Sequence, residues 1–248
     1  MKNDQLQLLK CKRFPSLSFL IRPGTSDPKA IEEVVEQNGY QRPRKNFVIE
    51  PGEEWVDLGA NIGAFSILAA HLGAKKISAF EADPNSFELL KENIKLNGFE
   101  KIIEAHHFAV IADRQKKAWL SVSEKNKNFW RNSIAKQWQG SRMIQVPCVH
   151  FSETFFPDRC VKMDIEGSEM PILEKLDFAT KKLVFEWSFD IDKSCERFRA
   201  VVQRLEKNFS SVDYSPIPSQ VMEWPGEWFP AAKMVWCQQP RIESSGPK

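Results

Sequence analysis

The chain of 248 residues is long enough to bury a sizeable core as one large domain or two small ones. Its residues are 42% hydrophobic and 27% charged, which is ordinary for a globular protein and argues against a disordered or fibrous chain. The formal net charge of +2 neither implies nor excludes a nucleic-acid partner.

Cysteine usage and hydropathy point to a soluble protein of a reducing compartment. The five cysteines are scattered without a CxxC pair, which argues against a disulfide framework or a zinc knuckle. The N-terminal segment MKNDQLQLLKCKRF lacks the apolar core of a signal peptide, and AFSILAAHLGA is too short to span a bilayer. We therefore expect a cytoplasmic protein without a membrane role.

Residues 1–50 are expected to form an extension that packs on the core. A strand is predicted around residues 19–22, followed by a helix. In that helix Asp27 is the predicted N-cap, and Pro28 suits the first helical position.

From Trp55 onward, strand and helix patterns alternate. The strand patterns, in chain order, are WVDLG, KISAFEA, IIEAHHFAV, CVKMD, KLVFEWSF, SSVDY and AKMVWCQ. Apolar helical periodicity separates most of them, but no helix pattern lies between the last two. We therefore predict an α/β fold, a doubly wound and mainly parallel seven-stranded sheet with an antiparallel edge.

The predicted main domain covers residues 51–238. A hairpin-like region at about 114–149 interrupts its rhythm and is interpreted as an insertion. Residues 239–248 are expected to form a flexible tail.

The first two strands of this domain end in residues suited to a nucleoside. In such sheets, ligands bind outside the carboxyl ends of the strands. Gly59 permits a close backbone approach, and Gly63 lets the next helix pack near the strand. Asp57 would repel a pyrophosphate, but it suits the sulfonium and amino groups of S-adenosylmethionine. Glu81 lies 24 positions further on and can accept hydrogen bonds from both ribose hydroxyls.

A plain structural turn followed by a solvated strand end is the alternative to this interpretation. Either feature alone would leave the two interpretations balanced. Their combination on consecutive strand ends favours nucleoside binding.

Four segments resemble the FkbM family of class I methyltransferases. They are RPGTSDPKAIEEVV, VDLGANIGAFS with FEADP, VKMDIEGSE, and FEW, in that order. The resemblance implies a Rossmann-like fold, S-adenosylmethionine as methyl donor and O-methylation of a sugar or polyketide-like hydroxyl. The cofactor-binding residues that it implies are Asp57, Gly59, Ala60, Asn61, Gly63, Glu81, Ala82, Asp83 and Ala109.

Carboxylates at the fourth and fifth strands are the candidate catalytic residues. Asp164 ends the fourth strand, Glu166 follows it, and Glu186 ends the predicted fifth strand. They could supply a base and an orienting acceptor, or share a divalent cation such as Mg²⁺. Glu169 is interpreted as a charge at a helix N-terminus. The four histidines are expected to be packing or surface residues.

The acceptor is not fixed by these patterns. The segment after the fourth strand lacks the Asn/Asp-Pro-Pro-aromatic turn of base N-methylation, which favours a hydroxyl of a glycan or other small molecule. Basic, tryptophan-rich loops instead allow an RNA acceptor, or they form a solvated hairpin covering the sheet edge. A non-catalytic nucleoside-binding scaffold is the third hypothesis. The aromatic residues concerned are Trp130, Trp138, Trp224, Trp228 and Phe229.

Overall fold

The computed structural model describes residues 6–42, 47–123, 132–177, 179–188, 191, 194–214 and 232–238. The predicted tail and four of the aromatic residues singled out above, Trp130, Trp224, Trp228 and Phe229, lie outside these ranges. No helix in the described ranges has both the length and the apolar character needed to cross a bilayer.

The strands are β1 (Gln7–Lys10), β2 (Ser18–Ile21), β3 (Glu54–Leu58), β4 (Lys76–Phe80), β5 (Ile103–His106), β6 (Ala109–Ile111), β7 (Lys117–Ser123), β8 (Ser141–His150), β9 (Cys160–Met163), β10 (Lys182–Ser188), β11 (Ser211–Tyr214) and β12 (Ala232–Gln238). The α-helices are α1 (Asp27–Ile31), α2 (Ala64–His71), α3 (Pro84–Leu96), α4 (Glu169–Lys175) and α5 (Cys195–Asn208). A π-helical turn (Glu32–Glu36) extends α1, and a 3₁₀ turn (Phe151–Glu153) follows β8.

The described strands form a seven-stranded central sheet with the order β11-β12-β10-β9-β3-β4-β5. Strands β10, β9, β3, β4 and β5 are parallel, whereas β12 is antiparallel to both of its neighbours. The chain builds outward from β3 to β5 and then returns to build β9 and β10 on the other side. This is the class I methyltransferase architecture, so the predicted fold class and its antiparallel edge are confirmed.

Both faces of the central sheet are covered. Trp55 belongs to one apolar cluster and Val56 to another, because successive residues of a strand point to opposite faces. Helices α2 and α3 contribute to the first cluster, and α4 and α5 contribute to the second. The sheet is therefore buried on two sides, as the near-continuous apolar strands predicted.

The helices after β3 and β4 begin differently. Asp83 is the N-cap of α3, and its side chain accepts a hydrogen bond from the Asn85 N–H (3.2 Å). Helix α2 begins only at Ala64, because Asn61 (φ 51°) and Gly63 (φ 95°) are left-handed. These two residues turn the chain before the helix can start.

The predicted third strand, IIEAHHFAV, is in fact two strands. The Phe108 N–H donates to the His106 carbonyl (3.1 Å) and closes a tight turn between β5 and β6. Strand β5 stays in the central sheet, whereas β6 pairs with β8 in a small sheet of order β6-β8-β7. Strands β7 and β8 form an antiparallel hairpin within the region predicted as an insertion.

In the N-terminal region, the prediction that Asp27 is the N-cap of α1 is wrong. Ser26 occupies that position and makes no side-chain capping bond. The Asp27 carboxylate instead accepts three hydrogen bonds from Arg22, one from its N–H and two from its guanidinium (2.8–2.9 Å). A buried carboxylate gains more from an adjacent guanidinium than from one backbone N–H, because the pairing is charge-assisted and bidentate.

Candidate active site

A cleft that opens to solvent lies outside the carboxyl ends of β3, β4 and β9, where the strand order reverses. The lining includes the carboxylates of Glu81, Asp164 and Glu166 but no Lys, Arg or His from the described residues. Such a cleft favours a cationic ligand and disfavours a pyrophosphate.

The predicted cofactor residues divide into two groups. Those that line the cleft are Gly59, Asn61, Glu81, Ala82 and Ala109. Those that are absent from its lining are Asp57, Ala60, Gly63 and Asp83. Members of the second group support the cleft through the contacts given below.

Two glycines shape the turn after β3. A Cβ on Gly59 would lie 1.8 Å from the Asp164 carbonyl oxygen, and Gly59 has a φ of 77°. Only glycine therefore lets β3 and β9 end this close together. Gly63 was expected to let its helix pack near the strand. The contact is instead with α3, because a Cβ there would lie 2.8 Å from Leu90 Cδ1. The Ala60 N–H donates to the Phe80 carbonyl (2.9 Å) and fixes the turn to β4.

Glu81 joins the turn after β3 to the end of β4. Its carboxylate accepts hydrogen bonds from the N–H groups of Asn61 and Asp83, both at 2.7 Å. Burial raises the pKa of Glu81 to about 7, and the charge of Asp83 adds to the rise, which these two hydrogen bonds limit. The carboxylate is thus held in one orientation at the wall of the cleft.

Asp83 does not line the cleft, but it supports a residue that does. Besides capping α3, its carboxylate accepts hydrogen bonds from Ser86 Oγ (3.0 Å) and Asn132 Nδ2 (3.2 Å). Asn132 lies in the segment that connects β7 to β8, and it lines the cleft. Asp83 therefore ties the hairpin to the cofactor end of the sheet.

Asp57 does not face the cleft. Its fully buried carboxylate contacts Lys162 Nζ (3.1 Å) and accepts a hydrogen bond from Ser66 Oγ (2.6 Å). Burial by itself lowers the pKa of Lys162, but the charges of Asp57 and Asp164 outweigh it and the net direction is upward. Asp57 was expected to face the positive groups of the cofactor. In the structure the acidic residues that line the cleft are Glu81, Asp164 and Glu166.

Lys162 was not singled out in the sequence analysis as a residue of the site. Its position in the otherwise apolar strand pattern CVKM could have indicated a buried, paired lysine. Its ammonium group donates to the carbonyls of Leu58 (3.3 Å) and Gly59 (2.8 Å). Lys162 therefore holds the end of β3 in place without lining the cleft itself.

Asp164 follows β9 and lines the cleft. Its N–H donates to the Leu58 carbonyl (3.0 Å), which continues the pairing of β3 and β9. Its Oδ2 accepts a hydrogen bond from the Tyr40 hydroxyl at 2.5 Å. Burial and the charges of Asp164 and Glu186 raise the pKa of Tyr40 well above its usual value, so this phenol is a proton donor at neutral pH.

Glu186 was expected at the end of the fifth strand, but it lies inside β10, opposite Met234 of β12. It is absent from the cleft lining. Burial raises the pKa of Glu186 to about 9, and the charges of Asp164 and Glu169 add to the rise. Burial and these neighbouring charges therefore favour the protonated form of Glu186.

The loop after Asp164 is held by a second buried carboxylate. Glu169 accepts hydrogen bonds from the N–H groups of Ile165 (2.6 Å) and Gly167 (2.7 Å), so it clamps the loop besides starting α4. Burial raises the pKa of Glu169 to about 7. Glu166 lines the cleft with a left-handed φ of 52°, and its carbonyl accepts a hydrogen bond from Ser133 Oγ (2.5 Å).

Within the described ranges, no group of three or more His, Cys, Asp or Glu residues is arranged to hold a metal ion. The shared divalent cation therefore stays a prediction. The histidines contact neighbouring side chains and backbone: His107 Nε2, for example, lies 3.1 Å from the Ala82 carbonyl.

Three features of the cleft suit S-adenosylmethionine. Three carboxylates line it, and it is open at the ends of β3 and β4. The side-chain oxygen of Asn61 is buried in its lining without a hydrogen-bond partner among the described residues. A ligand N–H or O–H would satisfy that oxygen, since buried acceptors are rarely left unpaired.

Comparison with known proteins gives the same class. A profile described as the TRM5/TYW2 methyltransferase domain matches residues 32–122, less than half of the chain. An uncharacterized protein of Methanocaldococcus jannaschii is 28% identical over 176 residues, covering 60% of this chain and 65% of that protein. Ribosomal protein L11 methyltransferase of Listeria innocua is 38% identical over 68 residues, covering 27% of this chain and 22% of that protein.

Two solved structures illustrate the likeness. TYW2 of M. jannaschii in complex with AdoMet has a TM-score of 0.49 and 13% identity, with 95% of this chain and 85% of that chain covered. The tRNA m1G37 methyltransferase of M. jannaschii has a TM-score of 0.44 and 17% identity, with 95% and 56% covered.

The comparisons agree with the predicted class at the level of one segment. Residues 32–122 are similar to a methyltransferase domain, and a shorter stretch is similar to a curated methyltransferase. The FkbM resemblance is confirmed only in its coarser part, since the matching profile is that of TRM5/TYW2. The chain spans less than two thirds of the length of these two curated relatives. The acceptor and the partners of the whole protein therefore do not follow from them.

Replacing Glu81 with glutamine is expected to weaken S-adenosylmethionine binding by about 10-fold at pH 8, because one orienting backbone bond and the acceptor charge are lost. Titration calorimetry between pH 6 and 8 checks this. With a pKa of about 7, the wild-type carboxylate ionises across this range, so affinity rises with pH, whereas the variant gives a flat profile.

A control and a stability measurement accompany this test. Glu88→Gln, an exposed acid on α3, should leave the affinity unchanged. Because the folded pKa of Glu81 lies above its usual 4.5, its contribution to stability without ligand is lost as pH rises from about 5 through 7. Tight, pH-independent binding by the glutamine variant would contradict the role of Glu81.

Proposed function

We propose that the protein is an S-adenosylmethionine-dependent methyltransferase that modifies RNA. The observation that carries the RNA acceptor is an uneven distribution of charge along the chain. Residues 114–149 contain eight Lys or Arg and one acidic residue, Glu124, whereas the rest contains 27 Lys or Arg and 32 Asp or Glu. A basic segment on an otherwise acidic protein is the electrostatic signature of a polyanion partner.

The described part of the basic segment borders the cleft. Leu120 of β7 and Ile134 line the cleft, and Ser133 bonds to the Glu166 carbonyl. An RNA held by this segment would therefore present a nucleotide beside Asp164. The net charge of +2 alone does not indicate an RNA acceptor. The position of the basic segment beside the cleft is what supports it.

The chain's own residues have separable roles in this proposal. S-Adenosylmethionine, when bound, supplies an electrophilic methyl group. Glu81 and Asn61 would hold its nucleoside and polar groups at the ends of β3 and β4. Asp164 orients the acceptor and takes its proton, while the Tyr40 hydroxyl keeps the Asp164 carboxylate in place. Glu186, whose protonated form is favoured by burial and which does not line the cleft, is the less suited of the two to accept a proton.

Methylation of a sugar or small-molecule hydroxyl is the second candidate. It is favoured by the Tyr40–Asp164 pair, which can accept a hydroxyl proton whatever molecule carries that hydroxyl. The matching profile and relatives give it no support. A non-catalytic scaffold is disfavoured, because Gly59, Glu81 and Asn61 all retain cleft positions suited to a cofactor.

The test is methyl transfer from labelled S-adenosylmethionine to fractionated cell extract, treated separately with RNase, protease and glycosidase. Label that is lost only after RNase treatment is the expected result. Label that survives RNase but is released by glycosidase or stays in small molecules would select the second candidate. Label that is lost after protease treatment would contradict both.

Replacing Tyr40 with phenylalanine is expected to lower methyl transfer by about 10-fold, because Asp164 loses a hydrogen bond to its charged form. Single-turnover rates measure this loss, and titration calorimetry should show an unchanged cofactor affinity. The chain has one other tyrosine, so Tyr214→Phe is the matched control. Equal rates in wild type and Tyr40→Phe would contradict a positioning role of Tyr40.

A further inference from the structure

One face of the β7–β8 hairpin presents an exposed tryptophan. Trp119 is 56% exposed, whereas its neighbours Ala118 and Leu120 are buried. Successive side chains of a strand point to opposite faces. Leu120 faces the cleft, so the hairpin closes the cleft with one face and presents Trp119 on the other.

A second aromatic residue belongs to the same face. Ser121 is two positions from Trp119 and therefore points to the same side of β7. The Ser121 hydroxyl accepts a hydrogen bond from the Trp138 N–H (3.2 Å), which places the chain at Trp138 over this face. Lys136 Nζ lies 4.0 Å from the centroid of the Trp138 ring, a cation–π contact.

The hairpin carries charge of one sign. Its described residues, 117–123 and 132–150, include Lys117, Lys136 and Arg142 but no Asp or Glu. Lys117 is exposed and lies on the same side of β7 as Trp119. An aromatic ring open to solvent and flanked by cations is the combination that binds unpaired nucleotides, because every base can stack on it.

We propose that this face, defined by Trp119, Lys117 and Trp138, is the docking surface for a single-stranded segment of the RNA. An unpaired base stacks on Trp119 and a neighbouring phosphate contacts Lys117. The strand then follows the hairpin toward the cleft, which the other face of β7 closes. The inference rests on the proposed function for the identity of the polyanion. An acidic peptide or an anionic membrane would be attracted by the lysines of this face. Neither of them contains a base that stacks on the exposed ring of Trp119.

The test compares variants in binding fluorescein-labelled oligouridylate and an RNA duplex of the same length. Trp119→Ala should weaken oligouridylate binding by about 10-fold and leave duplex binding unchanged, whereas Trp119→Phe keeps a stacking ring and should bind nearly as wild type. Lys117→Ala should reduce the slope of log K against log salt by about 0.7, whereas Lys101→Ala, an exposed lysine outside the hairpin, should not. S-Adenosylmethionine affinity should be the same in all of them, which shows that the variants are folded.

The outcomes separate this inference from the proposed function. Equal oligouridylate affinity of wild type and Trp119→Ala overturns the docking surface, even if the wild type methylates RNA. Tighter binding to phosphatidylserine vesicles than to RNA overturns it as well. If Trp119→Ala weakens RNA binding but the wild type transfers no methyl group to RNA, the docking surface stands and the proposed reaction fails.

Discussion

Replacing Asp164 with asparagine is expected to lower methyl transfer by at least about 100-fold, the usual contribution of a positioned acid or base. Asparagine keeps the shape of the side chain and can accept the Tyr40 hydrogen bond, but it cannot take a proton from the acceptor. S-Adenosylmethionine affinity should stay within a few-fold. Single-turnover rates with the methylated fraction, together with titration calorimetry, separate the two effects.

Two comparisons sharpen the assignment of Asp164. Asp177→Asn, an exposed acid after α4, is the matched control and should leave the rate unchanged. Glu186→Gln tests the alternative base: with a pKa of about 9, Glu186 is already protonated at pH 7, so glutamine should mimic its working state. A large loss of rate in Glu186→Gln with turnover preserved in Asp164→Asn would reverse the two roles.

Replacing Gly59 with alanine is expected to cost about 3 kcal/mol or more of unfolding free energy and to abolish cofactor binding. The added Cβ would lie 1.8 Å from the Asp164 carbonyl oxygen, and neither strand end can move without breaking the pairing of β3 with β9. The left-handed φ of 77° adds about 1–2 kcal/mol for any residue with a Cβ. Chemical denaturation and calorimetry with S-adenosylmethionine measure both effects.

Gly98→Ala is the matched control for this clash. Gly98 has a nearly equal φ of 73°, but its Cβ would meet no atom within 4 Å. Its cost should therefore be the backbone contribution alone, about 1–2 kcal/mol, with cofactor affinity intact. Similar losses in both variants would show that conformation, rather than the close approach of β3 and β9, is what requires glycine at position 59.

The fold could be predicted because its signals are local. Apolar runs of strand length alternate with helical periodicity, and this order alone selects a parallel sheet with covered faces. Glu81 was found in the same way, since a carboxylate at the end of a buried strand needs no knowledge of distant residues. Asp164 was found because it directly follows an apolar strand and precedes a turn.

The errors in prediction share a physical cause. Asp57 has a neighbouring lysine only because β3 pairs with β9 over a sequence separation of about one hundred residues, and that pairing turns its charge away from a ligand. Tyr40 reaches Asp164 across 124 positions and belongs to a segment with no local motif. Glu186 has its raised pKa because the fold buries its side chain and gathers several acids around it.

The sequence by itself therefore determined the class I methyltransferase fold, the cofactor end of the sheet and the carboxylates at its strand ends, because periodicity and strand boundaries are short-range properties. Only the tertiary structure decided which of those carboxylates faces the cleft, which is neutralised and which is protonated. Charge pairing and burial depend on what the fold brings together from distant parts of the chain, and those contacts leave no periodic trace in the sequence.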